Sequence, residues 1–223
     1  MATPAPSKRI KTLSVSRPIV YGNTATKLGD NRPPNAPVEH THMWTIFVRG
    51  PQGEDLSYFI KRVVFKLHDT YPNPTRTVEA PPFELTETGW GEFEINIKIH
   101  FIDDANEKML NFYHHLRLHP YYDTNRQLIK SETNQVETEK AVNSEVQSIF
   151  FDEIVFNEPN EQFFKILMST PGYLLPSNKT KEHIFSKQLE QEEIDRINMG
   201  IDKVDQEIEK LKQKLSEQIK PEP

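Results

Sequence analysis

Two short segments carry most of the side chains that could do chemistry in this sequence. Residues 67–74 read LHDTYPNP, and residues 87–93 read ETGWGEF. Each segment adjoins a strand-like run and is punctuated by Pro or Gly, which predicts ordered loops at one end of a β-structure. Together they offer an imidazole, a hydroxyl and the rings of Tyr71, Trp90 and Phe93. This inventory suits the binding of a flat, neutral polar group, because rings stack and glycine-flanked backbone can approach closely.

The other candidates for catalysis or metal binding form no recognisable arrangement. Carboxylates are scattered through polar faces and loops, so no general acid–base pair can be nominated. Serine and histidine occur without a nucleophile elbow, and no glycine-rich phosphate cradle is present. Among the eight histidines, His114, His115 and His119 cluster in and after a predicted strand, without helical i, i+4 pairing or a cysteine partner. We predict a protein that is not an enzyme and has neither a cofactor nor a metal site.

Bulk composition narrows the function classes further. The 223 residues include 27 basic and 33 acidic side chains, and the net charge of -6 argues against direct, sequence-specific DNA binding. Cysteine is absent, which fits a cytosolic or nuclear location. No apolar run reaches the roughly 18 residues of a membrane span, and no signal peptide is evident, so we expect no membrane association. The hydrophobic share of 35% indicates that the folded domain occupies less than the whole chain.

Short strands separated by turn signals predict the fold class. Residues 43–49 and 60–68 alternate apolar and polar side chains, and residues 93–101 give the cleanest alternation. Weaker strands are predicted over 10–21, 77–85, 110–118 and 148–156. Prolines interrupt the first two of these, which places them at sheet edges. Because no βαβ alternation occurs, the pattern predicts a mainly β protein, an immunoglobulin-like antiparallel β-sandwich.

The domain organisation follows changes in composition. Residues 22–42 are interpreted as a long surface connection, and residues 119–147 as a polar insertion that does not order itself. Apolar residues over 163–167 predict a short helix after the last strand. The predicted parts are a disordered leader at 1–7, the sandwich at 8–170, a linker at 171–185 and a coiled-coil helix at 186–219.

The C-terminal segment carries the most specific periodic signal. Apolar residues recur there at spacings of 3, 4, 3, 4, 3 and 4, which is the a/d seam of a coiled coil. These seam residues are Ile194, Ile197, Ile201, Val204, Ile208, Leu211 and Leu215. A helix with such a stripe needs a partner helix to bury it, so we predict that the seam binds another chain. β-Branched residues at position a are compatible with two strands, and homodimer and heterodimer both stay open.

Four runs of sequence resemble the signature blocks of the YEATS domain family. They are HTHMWTIFVRGP at 40–51, VVFKLH at 63–68, YPNP at 71–74 and ETGWGEF at 87–93. The resemblance implies an immunoglobulin-like fold whose loop-end aromatic channel binds acylated lysine, acetyl or crotonyl, on a histone tail. On this resemblance, the pocket positions fall on His40, His68, Thr70, Tyr71, Gly89, Trp90, Gly91 and Phe93.

With the heptad tail, the sequence is similar to fungal YEATS subunits of chromatin complexes. The resemblance implies that the coiled coil binds other subunits of a histone-variant exchange remodeller and of a histone acetyltransferase complex. It also implies a location in the nucleus, with some of the protein in the cytoplasm. The expected partners are therefore an acylated histone tail and these subunits.

The chemistry of the two loops agrees with acyl-lysine binding. Acylation removes the lysine charge, and the resulting planar amide could lie between Tyr71 and Trp90. Its oxygen would accept from a backbone N–H near Trp90, and its N–H would donate to the Thr70 hydroxyl. An unmodified ammonium would lose its water, and we expect no carboxylate in these loops to receive it. The alternative is a purely structural adaptor, with Tyr71 and Trp90 as core aromatics and a coiled coil that assembles subunits.

Overall fold

The computed structural model divides the chain into two compact units, residues 1–173 and residues 174–223. The residues that the structure describes are 8–29, 32–120, 145–180 and 183–218. The predicted leader at 1–7 and residues 121–144 of the predicted insertion lie outside the described residues. Within the described part of the chain, no helix is long and apolar enough to cross a membrane.

The first unit is a sandwich of two antiparallel sheets. One sheet contains β1 (Ser14–Lys27), β2 (His42–Arg49), β5 (Phe83–Gly89) and β8 (Val146–Asn157), in the order β5-β2-β1-β8. The other contains β3 (Ile60–Lys66), β4 (Thr75–Val78), β6 (Glu94–Phe101) and β7 (Leu110–His115), in the order β4-β3-β6-β7. Lys66 at the end of β3 pairs with Asn96 near the start of β6. The loops after β3 and before β6 therefore meet at one end of the sandwich.

Side chains that alternate along the strands fill the space between the sheets. In β6, Ile95, Ile97 and Ile99 are fully buried, whereas the neighbouring Glu94 is exposed. In β2, Trp44 and Ile46 face the same core and are also buried. This period of two is what a strand with one apolar face requires. The core thus fixes which face of each strand reaches the solvent.

The first strand is longer and more central than the sequence predicts. β1 continues to Lys27 and lies between β2 and β8, so the prediction that this strand lies at a sheet edge is wrong, and the connection predicted for 22–42 begins only after Lys27. The polar residue Asn23 is tolerated in the sheet because its amide donates to the Arg117 carbonyl at 2.8 Å and its oxygen accepts from Arg117 N at 3.0 Å. A buried amide that is satisfied in this way does not interrupt a strand.

The predicted strand over 77–85 is two strands that belong to different sheets. β4 ends at Val78, β5 begins at Phe83, and the intervening residues carry the chain from the second sheet to the first. Pro81 and Pro82 lie in this crossing. Both strands are at sheet edges, as predicted, although the prolines lie between the two strands and not within either ladder.

Two helices follow the strands. α1 (Glu161–Ser169) begins after Asn160, whose side-chain oxygen accepts from Phe163 N at 2.9 Å and caps the helix. In the second unit, α2 (Lys187–Gln218) begins after Ser186, whose hydroxyl oxygen accepts from Leu189 N at 3.2 Å. The predicted mainly β, immunoglobulin-like antiparallel sandwich, followed by a short helix and a C-terminal helix, is confirmed.

The predicted seam residues all lie on α2 and are all solvent-exposed. Their exposed fractions run from 42% for Ile208 to 59% for Val204. A long helix that exposes an apolar stripe has no buried face of its own. The pairing of this seam with another chain stays a prediction.

Candidate functional site

A cavity of about 460 Å³ opens at the end of the sandwich where β3 and β5 end. Three chain segments line it: one before β2, one between β3 and β4, and one between β5 and β6. The lining residues are Pro37, Glu39, His40, His68, Thr70, Tyr71, Pro72, Gly89, Trp90, Gly91, Glu92 and Phe93. All eight residues that the sequence analysis placed in the pocket are among them. The structure therefore brings the two predicted loops together around one opening.

Tyr71 forms an aromatic wall of the cavity and is half-buried. Its hydroxyl donates to the Thr88 carbonyl at 3.0 Å. Its ring meets Trp44 edge-on, with centroids 6.0 Å apart, and lies 5.7 Å from the ring of Phe93. Burial raises the pKa of the Tyr71 phenol, so the hydroxyl stays protonated and can keep donating at neutral pH. This phenol is fixed before any ligand arrives.

Trp90 lies on the loop between β5 and β6 and is 67% exposed. The alternative that Trp90 is a core aromatic is therefore wrong. Tyr71 packs against the core and also lines the cavity, so it has both roles. An indole exposed to this extent is unusual for a residue with no binding task, because large aromatic faces are normally covered.

The imidazoles of His40 and His68 and the hydroxyl of Thr70 add polar groups to the cavity. His40 Nδ1 lies 2.7 Å from Thr88 Oγ1, and His68 Nδ1 lies 3.0 Å from Thr70 Oγ1. The backbone N–H of Thr70 donates to His68 Nδ1 at 3.4 Å, so Nδ1 is the acceptor nitrogen of that ring. The Thr70 hydroxyl then donates to His68, and its oxygen can still accept a hydrogen bond from a ligand.

The loop from Gly89 to Phe93 is fixed at both of its ends. The Gly89 carbonyl accepts from Thr41 N at 3.0 Å, and the Phe93 carbonyl accepts from Leu116 N at 2.9 Å. The intervening Gly91 has open space around its Cα, where a side chain would meet no other atom. Its backbone is therefore accessible from the cavity.

Sequence reasoning missed four lining residues, Pro37, Glu39, Pro72 and Glu92. Glu92 lies in the second loop, and Glu39 lines the cavity from outside both loops. The expectation that no carboxylate of these loops receives an ammonium stays a prediction. Glu39 is exposed, and no sequence signal distinguishes it from other surface acids. Glu92 stood in the ETGWGEF run, two residues from the indole, but was not assigned a role.

Glu92 is an ionised carboxylate that is engaged within the protein. It accepts from the Arg117 guanidinium at 3.0 Å and from the backbone N–H groups of Leu118 at 2.8 Å and His119 at 3.1 Å. Burial by itself would raise the pKa of the Glu92 carboxyl, but these donors outweigh it and hold that pKa below its ordinary value. The charge of Glu92 is thus already balanced by Arg117.

Comparison with known proteins shows the family of this chain. The YEATS family pattern matches residues 39–120, which include every lining residue except Pro37. The protein AF-9 homolog of Saccharomyces cerevisiae is 68% identical to this chain over 219 residues, 98% of this chain and 97% of the relative. The chain belongs to the YEATS family. Its YEATS domain carries the cavity, and α2 follows that domain.

Solved YEATS structures share the fold of this domain. A crystal structure of the Yaf9 YEATS domain bound to H3K27ac has 69% sequence identity and a TM-score of 0.60, covering 73% of this chain and 99% of that one. A structure of the Yaf9 YEATS domain recognizing an H3K122suc peptide has 66% identity and a TM-score of 0.59, with the same coverage. Both structures hold an acylated histone peptide.

Proposed function

We propose that this YEATS domain binds acylated lysine on a histone tail, in the cavity between Tyr71 and Trp90. The observation that supports this most strongly is an exposed indole that lines the same cavity as a phenol held by a hydrogen bond. The related Yaf9 YEATS domain has been crystallised with H3K27ac, which agrees with this ligand class. A flat acyl amide fits between two ring faces, whereas a bulky or tetrahedral group does not.

The polar groups of the cavity match the two polar ends of the amide. The Thr70 oxygen can accept the amide N–H, because its own hydrogen is directed to His68. The amide oxygen would accept from a backbone N–H near Trp90, where Gly91 lines the cavity and has open space around its Cα. A neutral amide therefore loses little on leaving water, since both of its groups find partners.

Unmodified lysine is disfavoured for an electrostatic reason. Its ammonium would have to give up water inside an apolar and aromatic cavity. Glu92 lines that cavity, but its charge is already paired with Arg117, and Glu39 is solvated. Neither acid is thus a buried, unpaired carboxylate that would compensate an ammonium.

The exposed seam of α2 supports a second part of the proposed function, the docking of the domain to other proteins. A stripe of Ile, Val and Leu at heptad spacing fits a partner helix. We infer that this partner is a subunit of a histone-variant exchange remodeller or of a histone acetyltransferase complex, and that the protein acts in the nucleus. In this role the protein is an adaptor without catalytic activity.

Calorimetric titration of the full chain with an acetylated histone peptide tests the proposal. We expect saturable binding that is lost with the unmodified peptide, and a rise in Kd of about 30-fold or more for Trp90→Ala. Because Trp90 is exposed, its removal should leave the free energy of unfolding within about 0.5 kcal/mol. Equal affinity for both peptides, or an unaffected Trp90→Ala variant, would instead favour the purely structural adaptor.

A further inference from the structure

Glu92 joins the Trp90 loop to a neighbouring segment of the chain. Its Oε2 accepts from Nη1 of Arg117, and its Oε1 accepts from the backbone N–H groups of Leu118 and His119. Hydrogen bonds to an ionised carboxylate are shorter and stronger than neutral ones. Both oxygens of Glu92 are therefore used to hold residues 117–119 rather than to bind a ligand.

Residues 117–119 are in turn anchored to the interior of the first sheet. Asn23 of β1 is fully buried, and its amide donates to the Arg117 carbonyl while its oxygen accepts from Arg117 N. The same oxygen accepts from Nε2 of His114 at 2.8 Å. A continuous series of hydrogen bonds thus leads from a central strand, through Arg117 and Glu92, to the cavity wall. The segment that Glu92 holds cannot move without breaking buried hydrogen bonds.

Trp90 itself has little else to fix it. Its ring is 67% exposed, and within the part of the chain that the structure describes, the backbone hydrogen bonds that join this loop to other segments are at its ends, on Gly89 and Phe93. Among the described residues, Glu92 is the side chain of this loop that ties its middle to the body of the domain.

We propose that Glu92 is a positioning residue that sets the Trp90 wall of the cavity by clamping its loop to residues 117–119. The proposal deepens the proposed function and rests on it for the identity of the ligand. The clamp itself is a property of the free domain. The clamp requires a carboxylate, because the side chain must accept hydrogen bonds from three donors at once and only a carboxylate offers two equivalent acceptor oxygens.

Glu92→Gln in the full chain is the test variant. A glutamine has one acceptor oxygen, so it cannot satisfy both Arg117 and the two backbone N–H groups. Glu94→Gln is the matched control, because Glu94 lies two residues away, is exposed, and makes none of these contacts. Glu92→Asp keeps the charge but shortens the side chain by one methylene, and it replaces Glu92→Gln if the glutamine variant does not fold.

Two measurements test the clamp in the free protein and its effect on ligand binding separately. The chain has two tryptophans, and labelling with 5-fluorotryptophan gives one 19F NMR resonance for the buried Trp44 and one for Trp90. We expect Glu92→Gln to shift or broaden the Trp90 resonance in the free protein while the Trp44 resonance stays in place. We also expect its Kd for an acetylated histone peptide to rise about tenfold, the size of one lost charge-assisted hydrogen bond. Glu94→Gln should change neither quantity.

The outcomes distinguish the clamp from the proposed function. A Trp90 resonance in Glu92→Gln that matches wild type in position and width overturns the clamp. An altered resonance with an unchanged Kd overturns the positioning role. If the wild-type chain binds no acylated peptide, the proposed function fails, and the Trp90 resonance of the free protein still decides whether the clamp exists.

Discussion

Gly89 lies directly against the hydroxyl of Tyr71. A Cβ on Gly89 would be 2.5 Å from the Tyr71 oxygen and 3.2 Å from Nε1 of Trp44. Both separations are closer than packed protein atoms normally come, so glycine alone lets the end of β5 pass beside the phenol. The same hydroxyl donates to the carbonyl of Thr88. The phenol is therefore held on the side of β5 by this hydrogen bond and by the close contact with Gly89.

Gly89→Ala should therefore displace the Tyr71 ring and damage the cavity. We expect the free energy of unfolding to fall by about 1–3 kcal/mol, as for other overpacked sites. We also expect the Kd for an acetylated histone peptide to rise about tenfold or more, because the displaced ring no longer forms the wall. Urea denaturation and calorimetry measure the two effects separately.

Gly91→Ala is the matched control for Gly89→Ala. A Cβ at Gly91 would meet no atom within 4 Å. Its free energy of unfolding should stay within about 0.5 kcal/mol of wild type. Equal losses of stability in the two variants would contradict the role of the close contact between residue 89 and Tyr71.

Thr70→Val tests the hydroxyl that is proposed to accept the amide N–H. The change keeps the shape of the side chain and removes the oxygen, so the bound amide N–H loses its partner. We expect about a tenfold rise in Kd for the acetylated peptide, measured by calorimetry, with little change in stability because Thr70 is exposed. Thr70→Ser keeps the hydroxyl and should bind within about threefold of wild type. Similar affinities for the valine and serine variants would exclude this hydrogen bond.

Ile201→Asp tests the seam of α2. Ile201 lies on the seam and is 53% exposed, whereas Met199 lies off the seam and is 55% exposed. A charge on the seam should abolish co-purification of the chain with its partner subunits, because it cannot be buried against another helix. Met199→Asp should leave co-purification intact, and both variants should keep the wild-type affinity for the acetylated peptide. Equal co-purification of the two variants would show that the seam is not the docking surface.

His114 is a buried imidazole that the fold holds in its neutral form. Its Nε2–H donates to Asn23, and among the described residues its buried Nδ1 has no hydrogen-bond partner. Burial, together with the nearby positive charges of His115 and Arg117, lowers the pKa of His114 to about 4. A proton on Nδ1 would be buried and unpaired, which is costly.

The stability of the domain should therefore decrease in mild acid. Between pH of about 6.5 and about 4 the unfolded chain binds a proton at His114 and the folded chain does not, so the free energy of unfolding falls as the pH is lowered. Above pH 6.5 the neutral His114 causes no loss of stability. Lowering the pH to about 4 reduces the free energy of unfolding by about 3 kcal/mol at most. Urea denaturation across this range measures it.

His114→Gln separates this imidazole from the other acid-sensitive groups. A glutamine can still donate to Asn23 but does not titrate, so the variant should lose less stability between pH 6.5 and 4 than wild type. His115→Gln, at the exposed neighbour on the same strand, should keep most of the wild-type pH dependence. An identical pH dependence in His114→Gln and wild type would assign the acid sensitivity to other groups.

Alternation and turn chemistry were enough to predict the sandwich and the two loops. The cleanest pattern, over residues 93–101, became β6 because its apolar side chains face one core. The continuation of β1 beyond Gly22 could not be predicted, because Asn23 is satisfied by Arg117, 94 residues away along the chain. Local sequence carries no sign of such a distant partner.

The candidate site likewise contains residues that the sequence predicts and residues that it does not. Tyr71 and Trp90 stood out because rings in ordered loops can stack on a flat ligand, and because both lie in runs that resemble YEATS signature blocks. Glu92 did not stand out, because a surface glutamate and a clamping glutamate look alike until Leu118, His119 and Arg117 are placed around it. Side chains that act through other side chains become visible only in three dimensions.

The loop that carries Trp90 crosses from one sheet to the other, whereas Tyr71 lies on a connection within the second sheet. One end of the Trp90 loop is therefore attached to a different sheet from Tyr71, and interior side chains such as Ile97 fill the space between the two sheets. In the proposed acyl-lysine site, exchanges of interior residues that never touch the ligand should therefore change the breadth of the acyl group that fits. A single methylene added or removed deep inside the domain should then change which acyl groups fit at its tip.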